Sequence, residues 1–247
     1  MKLETVFIAT IFGVVLLGCG MPESESIHVG EGHQHAHSAG GPPCVIVSTT
    51  DLMGIVEAIA SDSVELHCFG SGNQDPHALD ILPSFVREMN DADLWIQVGN
   101  DIEVAWYPDL MRNVKNPKII EGSEGFLDAS KLVMPLEGAV GNVLGVGHSS
   151  GLHPSGNPHY LLDPIEGIRV AKLIANRLSV ILPEQKDQFQ QNFENFRNRL
   201  ANALIGDYLA DRHDVSEIAD LYLSGKLTAF LSKQEDEISL GGWLGQL

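Results

Sequence analysis

The sequence predicts an α/β fold in which a four-stranded parallel sheet is flanked by helices and followed by a long helix. After Pro43, short apolar runs alternate with amphipathic runs, which is typical of βα repeats and a parallel sheet. Asp163-Pro164 is a strong helix start, since an N-cap residue precedes a proline. Large apolar residues then recur at spacings of three and four from Phe189 to Leu204, which predicts a long amphipathic helix.

The first part of this fold consists of short elements that follow one another closely. Residues 51–60 illustrate the reasoning, because their apolar residues recur at the spacing of one helical face. The predicted strands are residues 44–48, 64–69, 94–98 and 118–121, and the predicted helices between them are residues 51–60, 80–90 and 102–112.

The second part is predicted to be helical after a long connection. Residues 122–163 are rich in glycine and include three histidines, and a loop of this length is usually functional or disordered. Its histidines favour a function. One helix is expected from Asp163 to Pro183 and a longer one after Glu184, with short helices near residues 218–223 and 227–231.

The first nineteen residues resemble a bacterial lipoprotein signal. An apolar run at residues 6–17 is too short to span a bilayer and leads into Leu16-Leu17-Gly18-Cys19. In such signals, cleavage leaves the cysteine as an acylated N-terminus, so Cys19 is the expected site of lipidation and of attachment to the membrane. An ordinary signal peptide with a chance cysteine is the alternative.

Residues 20–43 are predicted to form a disordered tether. They contain almost no large apolar residues and are rich in glycine, serine, glutamate, proline and histidine. Imidazoles at this density bind zinc, copper or nickel loosely, which favours weak metal collection over a plain polar linker. The histidines of this tether are His28, His33, His35 and His37.

The charge of the chain bears on its partners, and the positions of two cysteines bear on disulfide formation. The chain has 15 basic and 33 acidic residues and a formal charge of -18, which excludes nucleic acid as the expected partner and favours cations. Cys44 and Cys68 should lie near opposite ends of neighbouring strands, too far apart for a disulfide, so both are predicted to be buried thiols.

Two Pro-His pairs are the candidate metal ligands. His77 follows Pro76 just past the second predicted strand, where ligands bind in open α/β sheets, and His159 follows Pro158 shortly before a helix. Proline stiffens each loop and so holds the imidazole at a defined angle. Imidazole binds zinc and its neighbours, and nearby carboxylates usually orient it; Asp75 and Asp163 are placed for that role.

The ordering and spacing of these motifs resemble the metal-binding proteins of ABC importers for zinc and manganese. The match runs over roughly residues 44 to 210, from Asp75-Pro76-His77 through Gly99-Asn100-Asp101-Ile102-Glu103 to Pro158-His159-Tyr160-Leu161-Leu162-Asp163-Pro164. The resemblance implies two α/β lobes joined by a rigid helix, with the metal held between them and bound first by His77 and His159.

The same resemblance implies a third ligand, histidine or glutamate, and a fourth, aspartate or glutamate, from the second lobe. The chain ends before either could appear, so it is expected to be truncated at its C-terminus. The expected organisation is a signal at 1–19, a tether at 20–43, an N-terminal lobe at 44–163, a helical linker at 164–210 and the start of the second lobe at 211–247.

The expected function is capture of a divalent transition metal, without catalysis, and its delivery to the membrane permease of an ABC importer at the periplasmic or extracellular face of a bacterial membrane. His148 and His153 resemble in position the histidine-rich loop of zinc-type members, which favours zinc over manganese and makes both residues possible additional ligands. A metal-dependent hydrolase is the alternative, although no His-Glu-x-x-His motif is present. A surface adhesin or free metal buffer on the same scaffold is another.

Overall fold

The structure is a computed structural model that describes residues 41–133, 157–232 and 241–243. The predictions for residues 1–40, including lipidation of Cys19 and metal collection by the tether histidines, lie outside the described residues. So do His148 and His153. No helix in the described ranges is both long and apolar enough to cross a bilayer.

Within the described residues, four parallel strands form one sheet in the order β2-β1-β3-β4. The chain passes from β1 to β2 on one side and then crosses to β3 on the other, so the carboxyl ends of β1 and β3 form a topological switch point where ligands bind in open α/β sheets. The predicted fold class is thus confirmed. The strands are β1 Cys44–Val47, β2 Glu65–Cys68, β3 Leu94–Gln97 and β4 Phe126–Asp128.

Several helices of the described residues begin at a proline or after an Asx cap. The predicted start at Asp163 is confirmed, because its Oδ1 accepts a hydrogen bond from the Ile165 N–H at 2.8 Å. The helices are α1 Thr50–Ala60, α2 Pro83–Asp91, α3 Tyr107–Met111, α4 Pro164–Ile181, α5 Lys186–Ile205, α6 Asp207–Ala210, α7 Val215–Leu223 and α8 Leu227–Leu231.

Alternation along the strands produces two apolar cores, one on each face of the sheet. Val45 and Val47 pack with α1, α4 and α5, whereas Ile46 and Trp95 pack with α2 and α3. Leu227 of α8 belongs to the same cluster as Val45, so the helices from α4 to α8 share the core of the sheet. The predicted boundaries between lobe, linker and second lobe stay predictions.

The prediction of a strand at residues 118–121 is wrong. Residues Pro117–Ile119 form a 3-10 turn, because Pro117 starts it and the Asn116 side chain accepts a hydrogen bond from the Lys118 N–H at 3.0 Å. The fourth strand is β4, inside the stretch that was predicted to be a loop. Its Phe126 and Leu127 are the apolar pair that faces the two cores.

Two helices are shorter than predicted. The helix predicted over residues 80–90 begins only at Pro83, which occupies the first turn of α2. The helix predicted over 102–112 begins only at Tyr107, because the N-cap residue Trp106, with φ -127° and ψ -34°, lies outside the helical region and Pro108 follows in the first turn.

The two described cysteines differ in burial. Both are free thiols, and the register pairs Cys44 with Glu65 and Cys68 with Val47, so they lie at opposite ends of neighbouring strands as predicted. Cys44 is buried, and this burial raises its pKa to about 12. Cys68 is only half-buried, which corrects the prediction of a buried thiol, and its Sγ donates to the Gly70 carbonyl at 3.0 Å.

We expect two glycine-to-alanine substitutions to change stability in opposite directions. A Cβ on Gly125 would lie 2.5 Å from the Asp93 carbonyl oxygen and would also strike that of Lys118, so Gly125→Ala should cost about 1–3 kcal/mol. Gly54 is exposed on α1, and no atom lies within 4 Å of the position that an added methyl group would take, so Gly54→Ala should add about 0.5–1 kcal/mol. Urea unfolding measures both, and equal effects would contradict this account of the β3–β4 connection.

Candidate metal centre

His77 lies in the loop that follows β2, and Asp75 fixes its orientation. Asp75 Oδ1 accepts hydrogen bonds from the backbone N–H of His77 at 3.0 Å and from its Nδ1 at 2.8 Å. A carboxylate only accepts, so the proton of a neutral His77 ring lies on Nδ1 and the Nε2 lone pair is directed away from Asp75. That tautomer is the one in which Nε2 binds a metal.

His159 is presented by a second loop of the same design. The Asn157 side chain accepts a hydrogen bond from the His159 backbone N–H at 2.9 Å, as Asp75 does for His77. In both loops an Asx residue, a proline and a histidine form one compact turn. The Pro-His pairs were identified from the sequence, and the repeated Asx residue two positions before each histidine was an additional signal that was missed there.

The fold brings these two imidazoles together although 82 residues separate them in the chain. Their ring centroids are 5.5 Å apart and the rings are inclined by 64°. The side chain of His77 is 31% exposed although its Nε2 is buried, and His159 is exposed. Two neutral imidazoles at this separation are able to bind one transition-metal ion.

Two buried aromatic side chains anchor the histidine loops, and no role was predicted for either from the sequence. Trp106 Nε1 donates a hydrogen bond to the Pro76 carbonyl at 2.9 Å, next to His77. The Tyr160 hydroxyl, next to His159, donates to the Val98 carbonyl at the end of β3 at 2.7 Å. Nothing in local sequence spacing predicts either bond, because each joins segments far apart in the chain.

Asp75 places a negative charge beside the histidine pair, and other carboxylates lie near Tyr160. The two hydrogen bonds from His77 lower the pKa of Asp75, which keeps that carboxylate ionised. Burial raises the pKa of Tyr160, and the carboxylates of Glu103, Asp128 and Glu166 raise it further, so the hydroxyl stays protonated and able to donate. The charge of Asp75 favours a cation over an anion at the pair.

The described residues bring two candidate metal ligands together here and no third. Within residues 41–133, 157–232 and 241–243, no group of three or more histidine, cysteine, aspartate or glutamate side chains is arranged to hold a metal. Asp163, predicted to orient an imidazole, is seen capping α4. His67, predicted not to be a ligand, lies on β2 with its Nε2 3.2 Å from Glu65 Oε1.

The two candidate orienting carboxylates are expected to respond differently to amide substitution. Asp75→Asn removes the charge that polarises His77 and should weaken metal binding by about 10- to 100-fold. Asp163→Asn keeps an effective N-cap, so we expect metal affinity within about twofold of wild type. Competition with a chelator measures both affinities. A large loss in Asp163→Asn would assign Asp163 to the metal site as well as to the helix cap.

The sequence and fold agree with a defined protein family. The family profile described as ZnuA, zinc-uptake complex component A periplasmic, matches residues 45–208. The chain belongs to this family.

Its curated relatives are substrate-binding proteins of ABC transporters, not enzymes, and they differ in the metal that they are named for. The manganese ABC transporter substrate-binding lipoprotein PsaA of Streptococcus mitis is 27% identical over 205 residues, which are 81% of this chain and 58% of the relative. The metal ABC transporter substrate-binding lipoprotein FimA of Streptococcus parasanguinis is 29% identical, over 79% of this chain and 56% of the relative. The iron ABC transporter substrate-binding lipoprotein MtsA of Streptococcus pyogenes serotype M1 is 28% identical, over 63% and 47%.

Solved structures show the same fold. A zinc-bound deletion mutant of ZnuA superposes with a TM-score of 0.53 at 24% identity, covering 66% of this chain and 56% of that chain. The Zn(II)-bound ZnuA-like domain of Streptococcus pneumoniae AdcA superposes with a TM-score of 0.52 at 18% identity, covering 66% and 53%. The chain therefore spans about half the length of the relatives and structures that it matches.

Proposed function

We propose that this chain belongs to a substrate-binding protein that captures a divalent transition metal outside the cytoplasm and delivers it to the membrane permease of an ABC importer. The observation that carries the proposal is the pair of imidazoles, His77 and His159, held 5.5 Å apart by two loops of the same design. Both loops lie beside the sheet's switch point, where this class of fold binds its ligands. Family membership supports the same reading.

We propose that His77 and His159 are two ligands of a site with about four. The remaining donors would come from residues outside the described ranges, with His148 and His153 as candidates in addition to a second lobe. Asp75 would orient His77 from behind, as carboxylates commonly do for metal-bound imidazoles.

Zinc is the proposed cargo, and manganese is the alternative. Imidazole nitrogen suits zinc, whereas manganese prefers carboxylate, carbonyl and water oxygens. The histidines at positions 148 and 153 and those of the tether add to the imidazole content of the chain. The relatives are named for manganese or iron as well as for an unspecified metal, so the choice rests on the donor chemistry of this chain.

We further propose that Cys19 carries a lipid that anchors the protein to the membrane. The sequence Leu16-Leu17-Gly18-Cys19 after a short apolar run supports this, and the relatives are named as lipoproteins. An anchor with a long tether would keep the metal site near the permease while leaving it free to sample the surrounding solution.

The test is a titration of the whole translation product of the gene, prepared without residues 1–19, with zinc and manganese against a chelator of known affinity. We expect binding of one zinc per molecule, tighter than that of manganese. Tighter binding of manganese would change the cargo and retain the function. Binding of neither metal would overturn the proposal.

A further inference from the structure

The loop between β3 and α3, residues 98–106, has a strained backbone. Gly99, Asn100 and Asp101 all have positive φ angles, and for the two residues other than glycine this conformation is unfavourable. Such a conformation persists only where surrounding contacts determine it, and it is concentrated at functional sites.

Glu103 is the side chain that holds this loop. It is 3% exposed, and its two carboxylate oxygens accept hydrogen bonds from the backbone N–H groups of Val98 at 2.8 Å and Gly99 at 3.0 Å. The Ser48 hydroxyl at the end of β1 is a second acceptor for the Val98 N–H at 3.3 Å. The loop is thereby fixed to the carboxyl ends of both central strands.

Both histidine loops are attached to this one rigid loop. Trp106, at the end of the loop, donates a hydrogen bond from Nε1 to the carbonyl of Pro76, the residue before His77. Val98, at its start, accepts from the hydroxyl of Tyr160, the residue after His159. Trp106 and Tyr160 are 3% and 5% exposed, so water does not compete effectively for either bond.

We propose that the 98–106 loop sets the separation of the two imidazoles, with Trp106 and Tyr160 as the positioning residues that transmit its geometry to His77 and His159. The inference rests on the proposed function, since it assumes that both histidines bind the metal. Neither positioning residue touches the metal; each holds the backbone beside a ligand. A metal site depends on ligand placement to within a fraction of an ångström, so loss of either bond reduces affinity.

The test compares wild-type protein with Tyr160→Phe and Trp106→Phe in the full chain. Tyr160→Phe removes the hydroxyl that donates to the Val98 carbonyl and keeps the ring. Trp106→Phe removes the Nε1 donor to the Pro76 carbonyl and also replaces the indole with a smaller ring. Tyr222→Phe, an exposed tyrosine on α7, is the matched control. Zinc affinity is measured by chelator competition, and the visible absorption of the Co²⁺ complex reports on ligand geometry.

We expect Tyr160→Phe and Trp106→Phe to bind zinc at least tenfold more weakly than wild type, with an altered Co²⁺ spectrum, and Tyr222→Phe to match wild type in both. A merely structural role would lower the urea midpoint of the metal-free protein and leave the Co²⁺ spectrum of the folded protein unchanged. In a His159→Ala background, Tyr160→Phe should cost no further affinity, because no imidazole remains at that loop to position.

Wild-type affinity and an unchanged spectrum in both folded variants would overturn the inference. The proposed function would then still stand if His77→Ala lost zinc binding. If wild-type protein bound no metal, the proposed function would fail and the positioning role with it.

Discussion

His77→Ala and His159→Ala are each expected to weaken zinc binding by more than about 100-fold, which exceeds the range typical for the loss of a residue that only orients a ligand. Each substitution removes one of the two imidazoles that the fold brings to a ring separation of 5.5 Å. Chelator competition with the purified protein measures the loss. The double variant should bind little more weakly than either single variant, because one remaining imidazole makes a poor site.

His67→Ala is the matched control for this experiment. His67 is another half-exposed histidine, but it lies on β2 beside Glu65 and Glu88 rather than in the candidate metal site. Its removal should leave zinc affinity within about twofold of wild type, in the range of surface substitutions. Equal losses in His67→Ala and His77→Ala would show that zinc binds histidines nonspecifically and would contradict a defined site at His77 and His159.

Trp95→Ala is expected to cause the largest loss of folding stability, about 3–5 kcal/mol. Trp95 is fully buried on β3, where its ring stacks on Tyr107 with centroids 5.5 Å apart and planes inclined by 4°. It also contacts Phe69 and Trp106 at centroid distances of 5.6 Å and 6.2 Å. Alanine would leave a cavity under the 98–106 loop. Urea unfolding of the metal-free protein measures the loss.

Trp243→Ala is the corresponding control, because that tryptophan is 58% exposed. Its removal should change the free energy of unfolding by less than about 0.5 kcal/mol. If Trp95→Ala were as mild as Trp243→Ala, the apolar core that contains Ile46 and Trp95 would contribute little to stability. The aromatic rings packed around Trp95 would then not support the 98–106 loop.

Most of the fold could be predicted from local patterns, and the failures have identifiable causes. Apolar periodicity located β1, β2, β3, α1, α4 and α5 to within a few residues, since these elements each bury a regular stripe. The fourth strand was misplaced because Ile119 and Ile120 form an apolar pair as good as Phe126 and Leu127. Tertiary contacts decide between the two pairs. Phe126 and Leu127 follow Gly125, which passes close to the Asp93 and Lys118 carbonyls, and they pair with β3.

The same distinction applies to the candidate site. His77 and His159 could be identified from the sequence because proline beside histidine is a local feature, and the Asx residue of each turn is local too. Trp106 and Tyr160 could not be, since a buried tryptophan or tyrosine is ordinarily a core residue. The positioning role proposed for them rests on hydrogen-bond partners that are 30 and 62 residues away.

By itself, the sequence determined the α/β class, the acidic character of the protein and the two histidines with their Pro-His turns, because periodicity, charge and turn chemistry are properties of residues close together in the chain. The tertiary structure alone decided that the two imidazoles meet, which strand completes the sheet, and which loop both histidine turns are attached to. Those outcomes depend on contacts between distant segments, which form only when the two faces of the sheet bury their apolar side chains together.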